Sequence, residues 1–190
     1  TVGISPRLGA RGPIRFVRAP GLPREGYRLE VGPGGATVTA SDDAGLLYGA
    51  VTLWQLAERR GREVVLPAIS IEDAPRFAWR GLMLDSARHF QSTGFIKRLL
   101  DAMAASKLNT FHWHLVDDQG WRVPIPKYPR LIEVGASRRP AIGPGAPPLP
   151  PVQGHYTAEE IREIVAYAQA RGITVVPEIE MPGHALSAIM

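Results

Sequence analysis

The feature that most restricts the fold of this chain is a set of three short apolar runs, each leading into ionisable residues. The runs cover residues 81–84, 111–116 and 173–176, and the segments between them have helical spacing of apolar residues. This order predicts a parallel sheet covered by helices, in which the carboxyl ends of the strands open on one face. We therefore expect the ionisable residues to meet around one pocket, as in an enzyme. They are Asp85, Arg88, His89, His112, His114, Asp117, Asp118, Glu178, Glu180 and His184.

The alternation of strands and helices after Trp79 predicts an α/β fold, the first strands and helices of a (β/α)8 barrel of the TIM type. A closed barrel takes about 250 residues, whereas the whole chain has 190. Residues 76–190 are therefore expected to form the N-terminal part of an incomplete barrel, with three of its eight strands. Because three parallel strands leave exposed edges, we expect the chain to be part of something larger.

Residues 1–75 have a different pattern, which predicts a small α+β domain. Residues 27–31 and 36–40 alternate between apolar and polar side chains around a Pro-Gly-Gly turn, as in a β-hairpin. Asp42 and its neighbours provide side-chain acceptors for the start of a helix. Short strands are expected at 64–66 and 69–71. The predicted buried face of the helix consists of Leu46, Leu47, Ala50, Leu53, Trp54 and Ala57.

Two amphipathic helices are predicted in the second half. The first presents the apolar stripe Phe95, Ile96, Leu99, Leu100 and Met103. The second opens with Thr157 and Glu160 in a capping box, ends at Gly172, and has the core face Ile161, Ile164, Val165 and Ala168. The Pro-rich stretch 140–151 between them is not expected to form regular structure.

Composition excludes several classes of function. The net charge is +4, but the basic residues are scattered and only three of the 22 are lysines, so the sequence does not indicate nucleic-acid binding. The chain has no cysteine, which excludes disulfides, thiolate metal sites and a cysteine nucleophile. No apolar run approaches the roughly 20 residues that a membrane-spanning helix needs.

Taken alone, the candidate residues fit general acid–base chemistry, because burial and neighbouring charges move the pKa values of carboxylates and histidines towards neutrality. Arg88 has donors suited to sugar hydroxyls, carboxylates or phosphates. Trp113 and Trp121 offer faces for a sugar ring, and core packing is an equal alternative for Trp113. Structural alternatives stay open. Carboxylates placed like Asp85 and Glu178 more often form structural ion pairs with basic residues than take part in catalysis. His112 and His114 lie on one face of a strand and either ligate a metal or pack as hydrogen-bonded histidines.

Three segments resemble successive signatures of the β-N-acetylhexosaminidases of glycoside hydrolase family 20. They are RGLMLDSARHF at 80–90, HWHLVDDQGWR at 112–122 and VPEIEMPGH at 176–184. The resemblance runs from about Arg80 to the end of the chain. The region 27–71 is similar, less distinctively, to the small α+β domain that precedes the barrel in this family.

The resemblance implies removal of terminal β-linked N-acetylglucosamine or N-acetylgalactosamine from an oligosaccharide or glycoconjugate, with net retention and without a cofactor. The nucleophile would be the acetamido oxygen of the substrate, one of the exceptions to the two-carboxylate scheme. By motif, Arg88 would bind ring hydroxyls far from the scissile bond, and Asp117 and His184 would form a supporting pair that tunes the general acid. A secreted or periplasmic location is also favoured by the resemblance.

One part of the family pattern is missing. An adjacent Asp-Glu pair is expected at the fourth strand, yet no Asp-Glu dipeptide occurs in residues 1–190. The resemblance therefore implies that the general acid lies beyond the given C-terminus and that this part alone is inactive. Two alternatives remain: a metal-dependent barrel hydrolase that uses His112, His114 and an Asp, and a non-catalytic sugar-binding or structural module.

Overall fold

The computed structural model describes residues 14–61, 63–138 and 151–189. The chain separates into two compact units, one through Ala78 and one from Trp79 onward. The predicted Pro-rich segment lies outside the described residues except at Pro151. Among the described residues, no helix combines the length and the apolar character needed to span a bilayer.

The first unit is a four-stranded sheet with one long helix. Its strands have the order β1-β3-β2-β6, with β1 parallel to β3 and the other pairs antiparallel. The predicted hairpin is confirmed as β2 and β3, in register at Leu29 and Val38. The elements are β1 (Ile14–Arg18), β2 (Tyr27–Gly32), β3 (Gly35–Ala40), α1 (Asp43–Leu56), β4 (Glu58–Arg60), β5 (Glu63–Val65) and β6 (Ile69–Asp73).

The start of α1 is as predicted, since the side chain of Asp42 accepts a hydrogen bond of 2.7 Å from the N–H of Gly45. The predicted buried face is wrong in part. Trp54 is 52% exposed, and the buried residues are Gly45, Tyr48, Gly49 and Leu53. The reason is close approach of the helix backbone to the sheet, because a Cβ on Gly49 would lie 2.3 Å from Cγ1 of Val38. Gly45 and Gly49 therefore share the contact face with the predicted Leu46, Leu47 and Leu53, which pack on the same core.

The second unit contains the predicted parallel sheet. Strand β8 lies between β7 and β13, and both neighbours run parallel to it. Asp85 and Glu178 both pair with His114, so the three strands end level. The elements are β7 (Gly81–Asp85), α2 (Thr93–Ala105), β8 (Thr110–His114), β9 (Val116–Asp117), β10 (Gly120–Trp121), α3 (Arg130–Glu133), β11 (Ser137–Arg138), β12 (Val152–Gln153), α4 (Ala158–Gln169), β13 (Thr174–Glu178) and α5 (Leu186–Ile189).

Helices α2 and α4 cover one face of this sheet. The core between them is formed by Ile96, Leu100, Met103, Phe111, Trp113, Ile164, Ala168 and Ile173. The capping box is confirmed: Oγ1 of Thr157 accepts from the N–H of Glu160 at 3.1 Å, and Oε2 of Glu160 accepts from the N–H of Thr157 at 2.8 Å. Phe95 and Val165 were predicted in the core faces but are exposed, because they lie at the edges of the stripes. The alternation along β8 sends Phe111 and Trp113 into the core, and His112 and His114 to the other face.

Candidate active site at the carboxyl ends of the parallel strands

Asp117 is the centre of a cluster at the strand ends. Its side chain is 1% exposed. Oδ2 forms an ion pair with Nη2 of Arg88 at 2.7 Å and a hydrogen bond with Nε2 of His114 at 3.0 Å. Oδ1 accepts from the N–H of Asp118 at 2.7 Å and lies 3.5 Å from Nδ1 of His184. The structure therefore brings together Arg88, Asp117 and His184, the three residues singled out in the sequence.

His114 connects Asp117 to a second carboxylate. Its Nδ1 bonds Oε2 of Glu178, and the same oxygen lies 2.8 Å from Nε2 of His112. Both ring nitrogens of His114 face carboxylate oxygens, which only accept when ionised, so this geometry favours the doubly protonated ring, an imidazolium. The site therefore contains a continuous chain of alternating charge, from Arg88 through Asp117 and His114 to Glu178.

The pKa values agree with this pattern of charge. Burial alone would lower the pKa of His114, but the hydrogen bonds to Glu178 and Asp117 outweigh burial and raise it. Burial alone would raise the pKa of Glu178, yet the hydrogen bonds from His114 and His112 bring it below its usual value. Each ionised group thus stabilises the charged form of its neighbour.

Arg88 is held by two carboxylates and still reaches the surface. Nη1 donates to Oδ2 of Asp85 at 2.7 Å, and the main-chain N–H of Arg88 donates to Oδ1 at 2.9 Å. Burial opposes ionisation of Asp85, but these bonds dominate and lower its pKa. The side chain of Arg88 is 38% exposed. A guanidinium fixed in this way is preorganised to donate to a ligand at the strand ends.

The loop after β7 that carries Arg88 is held in place by hydrogen bonds from the buried side chains of Trp113 and Tyr156. The indole N–H of Trp113 donates to Oγ of Ser86 at 3.0 Å. The hydroxyl of Tyr156 lies 3.0 Å from the same oxygen and 2.7 Å from the carbonyl oxygen of Gln91. Burial raises the pKa of Tyr156, so the hydroxyl stays protonated. Sequence reasoning missed Tyr156, because its position directly before a helix cap carries no functional signal.

The two tryptophans proposed as sugar platforms are placed elsewhere. Trp113 is fully buried and packs on Tyr156 with ring centroids 4.7 Å apart. Trp121 is also buried and donates from Nε1 to the carbonyl oxygen of Val123 at 2.6 Å. The interpretation of Trp121 as a sugar platform is therefore wrong, and Trp113, for which core and site were both open, lies in the core. For Trp113 the cause is the alternation along β8, which directs the ring towards α2 and α4.

The remaining candidates lie around the cluster. His89 is exposed beside Arg88, and Asp118 accepts the N–H of Leu186 at 3.1 Å, which ties the loop after β13 to the site. His184 has a positive φ of 51°, which turns the chain at the point where its ring faces Asp117.

Within the described ranges, two groups of side chains have spacing compatible with a metal ion. Each group places one potential ligand atom per residue within 4.8 Å of the others; the groups are His114, Glu178 and Glu180, and Asp117, Asp118 and His184. Both nitrogens of His114 are already engaged by carboxylates, as is Nε2 of His112. An imidazolium has no lone pair for a metal. The geometry therefore favours hydrogen-bonded histidines over the predicted alternative of metal ligation by His112 and His114.

Comparison with known proteins identifies the class to which this parallel α/β unit and its site belong. The model described as "Glycosyl hydrolase family 20, catalytic domain" matches residues 77–190, and the one described as "Glycosyl hydrolase family 20, domain 2" matches residues 3–74. The chain belongs to glycosyl hydrolase family 20.

Two individual relatives are named beta-hexosaminidases. The chain is 46% identical over 166 residues to a beta-hexosaminidase of Akkermansia muciniphila, and 46% identical over 173 residues to a beta-hexosaminidase of Vibrio furnissii. The matches cover 87% and 90% of this chain, but 33% and 28% of the relatives. The chain thus spans about a third or less of these relatives.

Solved structures of the family have the same mixed α/β fold. The exo beta-N-acetylglucosaminidase of Vibrio harveyi, in complex with N-acetylglucosamine, gives a TM-score of 0.85 at 42% identity over 94% of this chain and 29% of that chain. The N-acetyl-beta-hexosaminidase of Streptomyces plicatus, in complex with Thio-NAglucal, gives a TM-score of 0.81 at 43% identity over 95% of this chain and 36% of that one.

Proposed function

We propose that the protein containing this chain hydrolyses terminal, non-reducing β-linked N-acetylglucosamine or N-acetylgalactosamine. The observation that carries the proposal is the convergence of Arg88, Asp117 and His184 at the strand ends of a family 20 catalytic domain. The names of the relatives support it, because they are beta-hexosaminidases and a chitobiase. The partner is therefore an oligosaccharide or glycoconjugate that ends in an N-acetylhexosamine.

Arg88 is proposed to bind the hydroxyls of the terminal sugar on the side away from the scissile bond. Its guanidinium is fixed by Asp85 and Asp117, both at 2.7 Å, so little side-chain entropy remains to be lost when a hydroxyl binds. The guanidinium carries only donors, which suits the lone pairs of ring hydroxyls. This contact fixes the position of the sugar relative to the reacting bond.

The proposed reaction is retaining and assisted by the substrate. The acetamido oxygen attacks the anomeric carbon while a glutamic acid protonates the leaving oxygen, and water then opens the resulting oxazolinium ion. The glutamic acid and an adjacent aspartate are assigned to a segment beyond Met190, because the sequence has no Asp-Glu dipeptide. The given chain supplies sugar binding and electrostatic support.

Asp117 and His184 are proposed to tune the general acid. The acid must be neutral before it donates, so the charges beside it set the pH range in which it works. Asp117 provides a buried negative charge, and its Oδ1 lies 3.5 Å from Nδ1 of His184, whose side chain is 58% exposed. His184 is thus the part of the pair that can approach a group contributed by the rest of the protein.

The three parallel strands are proposed to be the first strands of a (β/α)8 barrel. On this proposal residues 76–190 begin the barrel, and residues 1–75 form the α+β domain before it. The parallel order β7-β8-β13, with helices between successive strands, supports the assignment. The level strand ends also agree with a barrel that has its site at the carboxyl face.

The proposal is tested with the intact protein and p-nitrophenyl β-N-acetylglucosaminide. We expect release of p-nitrophenol, inhibition by a thiazoline that mimics the oxazoline, and a β-configured initial product in proton NMR. The matched aryl β-glucoside, which lacks the acetamido group, should not be cleaved. EDTA should leave the rate unchanged. Failure to cleave the first substrate at any pH would refute the activity, whereas cleavage of both glycosides would refute substrate assistance.

A further inference from the structure

Arg122 is a fully buried arginine whose guanidinium binds main-chain carbonyls from three separate segments. Nε donates to the carbonyl of Ser86 at 3.1 Å, and Nη2 donates to that of Ala87 at 2.7 Å. Nη1 donates to the carbonyls of Ala136 at 2.6 Å and Gly154 at 2.7 Å. The guanidinium therefore ties the loop after β7 to the segments that carry β11 and β12.

Gly120 leaves the space that the guanidinium of Arg122 occupies, because a side chain at position 120 would collide with it. A Cβ on Gly120 would lie 2.4 Å from Nη2 of Arg122 and 2.8 Å from the carbonyl oxygen of Ala87. On another side, the ring of Phe90 has its centroid 6.0 Å from the guanidinium carbon. The main chain of Arg122 is also fixed, since its N–H donates to the carbonyl oxygen of Leu115 at 3.0 Å. The cavity thus matches the planar fork of an arginine.

Two of the bound carbonyls immediately precede Arg88 in the chain. The carbonyls of Ser86 and Ala87 fix the orientations of the two peptide planes that lead into Arg88. The N–H of Ser86 is fixed as well, by the carbonyl of His114 at 3.0 Å. The direction in which the Arg88 side chain leaves the backbone therefore depends on Arg122, although Arg122 itself is buried.

We propose that Arg122 is a positioning residue that acts on substrate binding through Arg88. The inference rests on the proposed role of Arg88 in binding the sugar. Lysine cannot replace Arg122, because an ammonium is a compact charge without the fixed fork that spans carbonyls on three segments. Loss of the fork lets the loop relax, and Arg88 then spends less time in the geometry that receives the sugar.

The test compares Arg122→Lys with wild type in the intact protein, on p-nitrophenyl β-N-acetylglucosaminide. We expect KM to rise about tenfold, with kcat changed less than threefold. In the Arg88→Ala background, the same substitution should leave KM unchanged within twofold, since the residue through which it acts is gone. An equal rise of KM in both backgrounds would overturn action through Arg88.

The control for lost stability is Ile164→Val, a buried change in α4 that should lower Tm and leave KM unchanged. If Arg122→Lys does not fold, Gly120→Ala carries the test, because its methyl group pushes directly on the guanidinium and on Ala87.

A second readout does not require activity. Hydrogen exchange of the peptide covering residues 86–91 should accelerate at least fivefold in Arg122→Lys or Gly120→Ala, but not in Ile164→Val. Unchanged exchange would overturn the inference even if the proposed activity is absent. Faster exchange in a protein that does not cleave the substrate would refute the proposed function and retain the anchoring of the loop.

Discussion

His114 and Asp117 form a buried ion pair, with Nε2 of the histidine 3.0 Å from Oδ2 of the aspartate. The same oxygen also forms an ion pair with Nη2 of Arg88 at 2.7 Å. Oδ2 of Asp117 therefore contacts two basic side chains, those of Arg88 and His114, while Oδ1 is directed towards His184. The orientation of this carboxylate is set by partners within the chain, before any substrate binds.

This ion pair predicts a specific dependence of stability on pH. The pKa of His114 is raised on folding, so its contribution is fully present below the ordinary histidine value of about 6.5 and is lost as pH rises through the raised pKa. The Tm advantage of wild type over His114→Gln should therefore be largest near pH 6 and shrink towards alkaline pH. Calorimetry of the intact protein measures it.

The matched control for that measurement is His155→Gln, which replaces an exposed histidine. Because this side chain is exposed, the substitution should change Tm at pH 6 much less than His114→Gln does. A constant difference between wild type and His114→Gln from pH 6 to pH 9 would contradict a folded imidazolium at position 114.

Substitution of Arg88 should weaken substrate binding more than it slows turnover. Hydrogen bonds from a charged group are worth about 1.5–3 kcal/mol, so Arg88→Ala should raise KM about 10- to 100-fold, with kcat within a few-fold of wild type. Steady-state kinetics with the aryl substrate checks this. Arg162→Ala, which removes an exposed arginine of α4 paired with Glu159, should leave KM unchanged. A dominant loss in kcat would contradict a binding role.

Replacing Asp117 by Asn should shift the pH–rate profile. The substitution keeps the shape of the side chain but removes a buried negative charge, and the proposed general acid would then lose its proton more readily. The alkaline limb of kcat should move to lower pH by roughly one unit, the scale set by one nearby charge. Asp101→Asn in α2, remote from the site, provides the control. A profile that falls in height without moving would argue against a tuning role.

A glycine-to-alanine substitution is expected to affect the stability of the protein differently in α1 and in α2. Gly49→Ala should destabilise the protein by about 1–3 kcal/mol through overpacking, because the new Cβ would meet Val38 at 2.3 Å. Gly94→Ala in α2 is the matched change, since its Cβ would meet nothing nearer than 3.8 Å. It should be neutral or stabilising by up to about 1 kcal/mol. Denaturant unfolding followed by circular dichroism distinguishes them, and equal stabilities would contradict the close contact.

Local patterns in the sequence were sufficient for the hairpin, the helix caps and the three parallel strands. The convergence of Arg88, Asp117 and His184 was also predictable, because the strand ends of a parallel sheet open on one face. These features depend on short-range periodicity and on general rules of topology.

The features that were missed depend on distant contacts. Arg122 binds carbonyls at positions 86, 87, 136 and 154, and nothing in its neighbourhood distinguishes it from a surface arginine. The contact face of α1 follows from glycines that matter only once a sheet lies against them. Trp113 was open between core and site, because periodicity gives the two faces of a strand but not which face is covered.

The register of β8 has a further consequence. Trp113 and His114 are neighbours on opposite faces, so a slip of one residue would expose the indole and push the imidazolium into hydrocarbon. The alternation of side chains along β8 thus determines both the packing of the core and the arrangement of charged groups on the opposite face. A substitution that shifts the register of β8 would therefore disturb the electrostatics of the opposite face, even where no ionisable group has been touched.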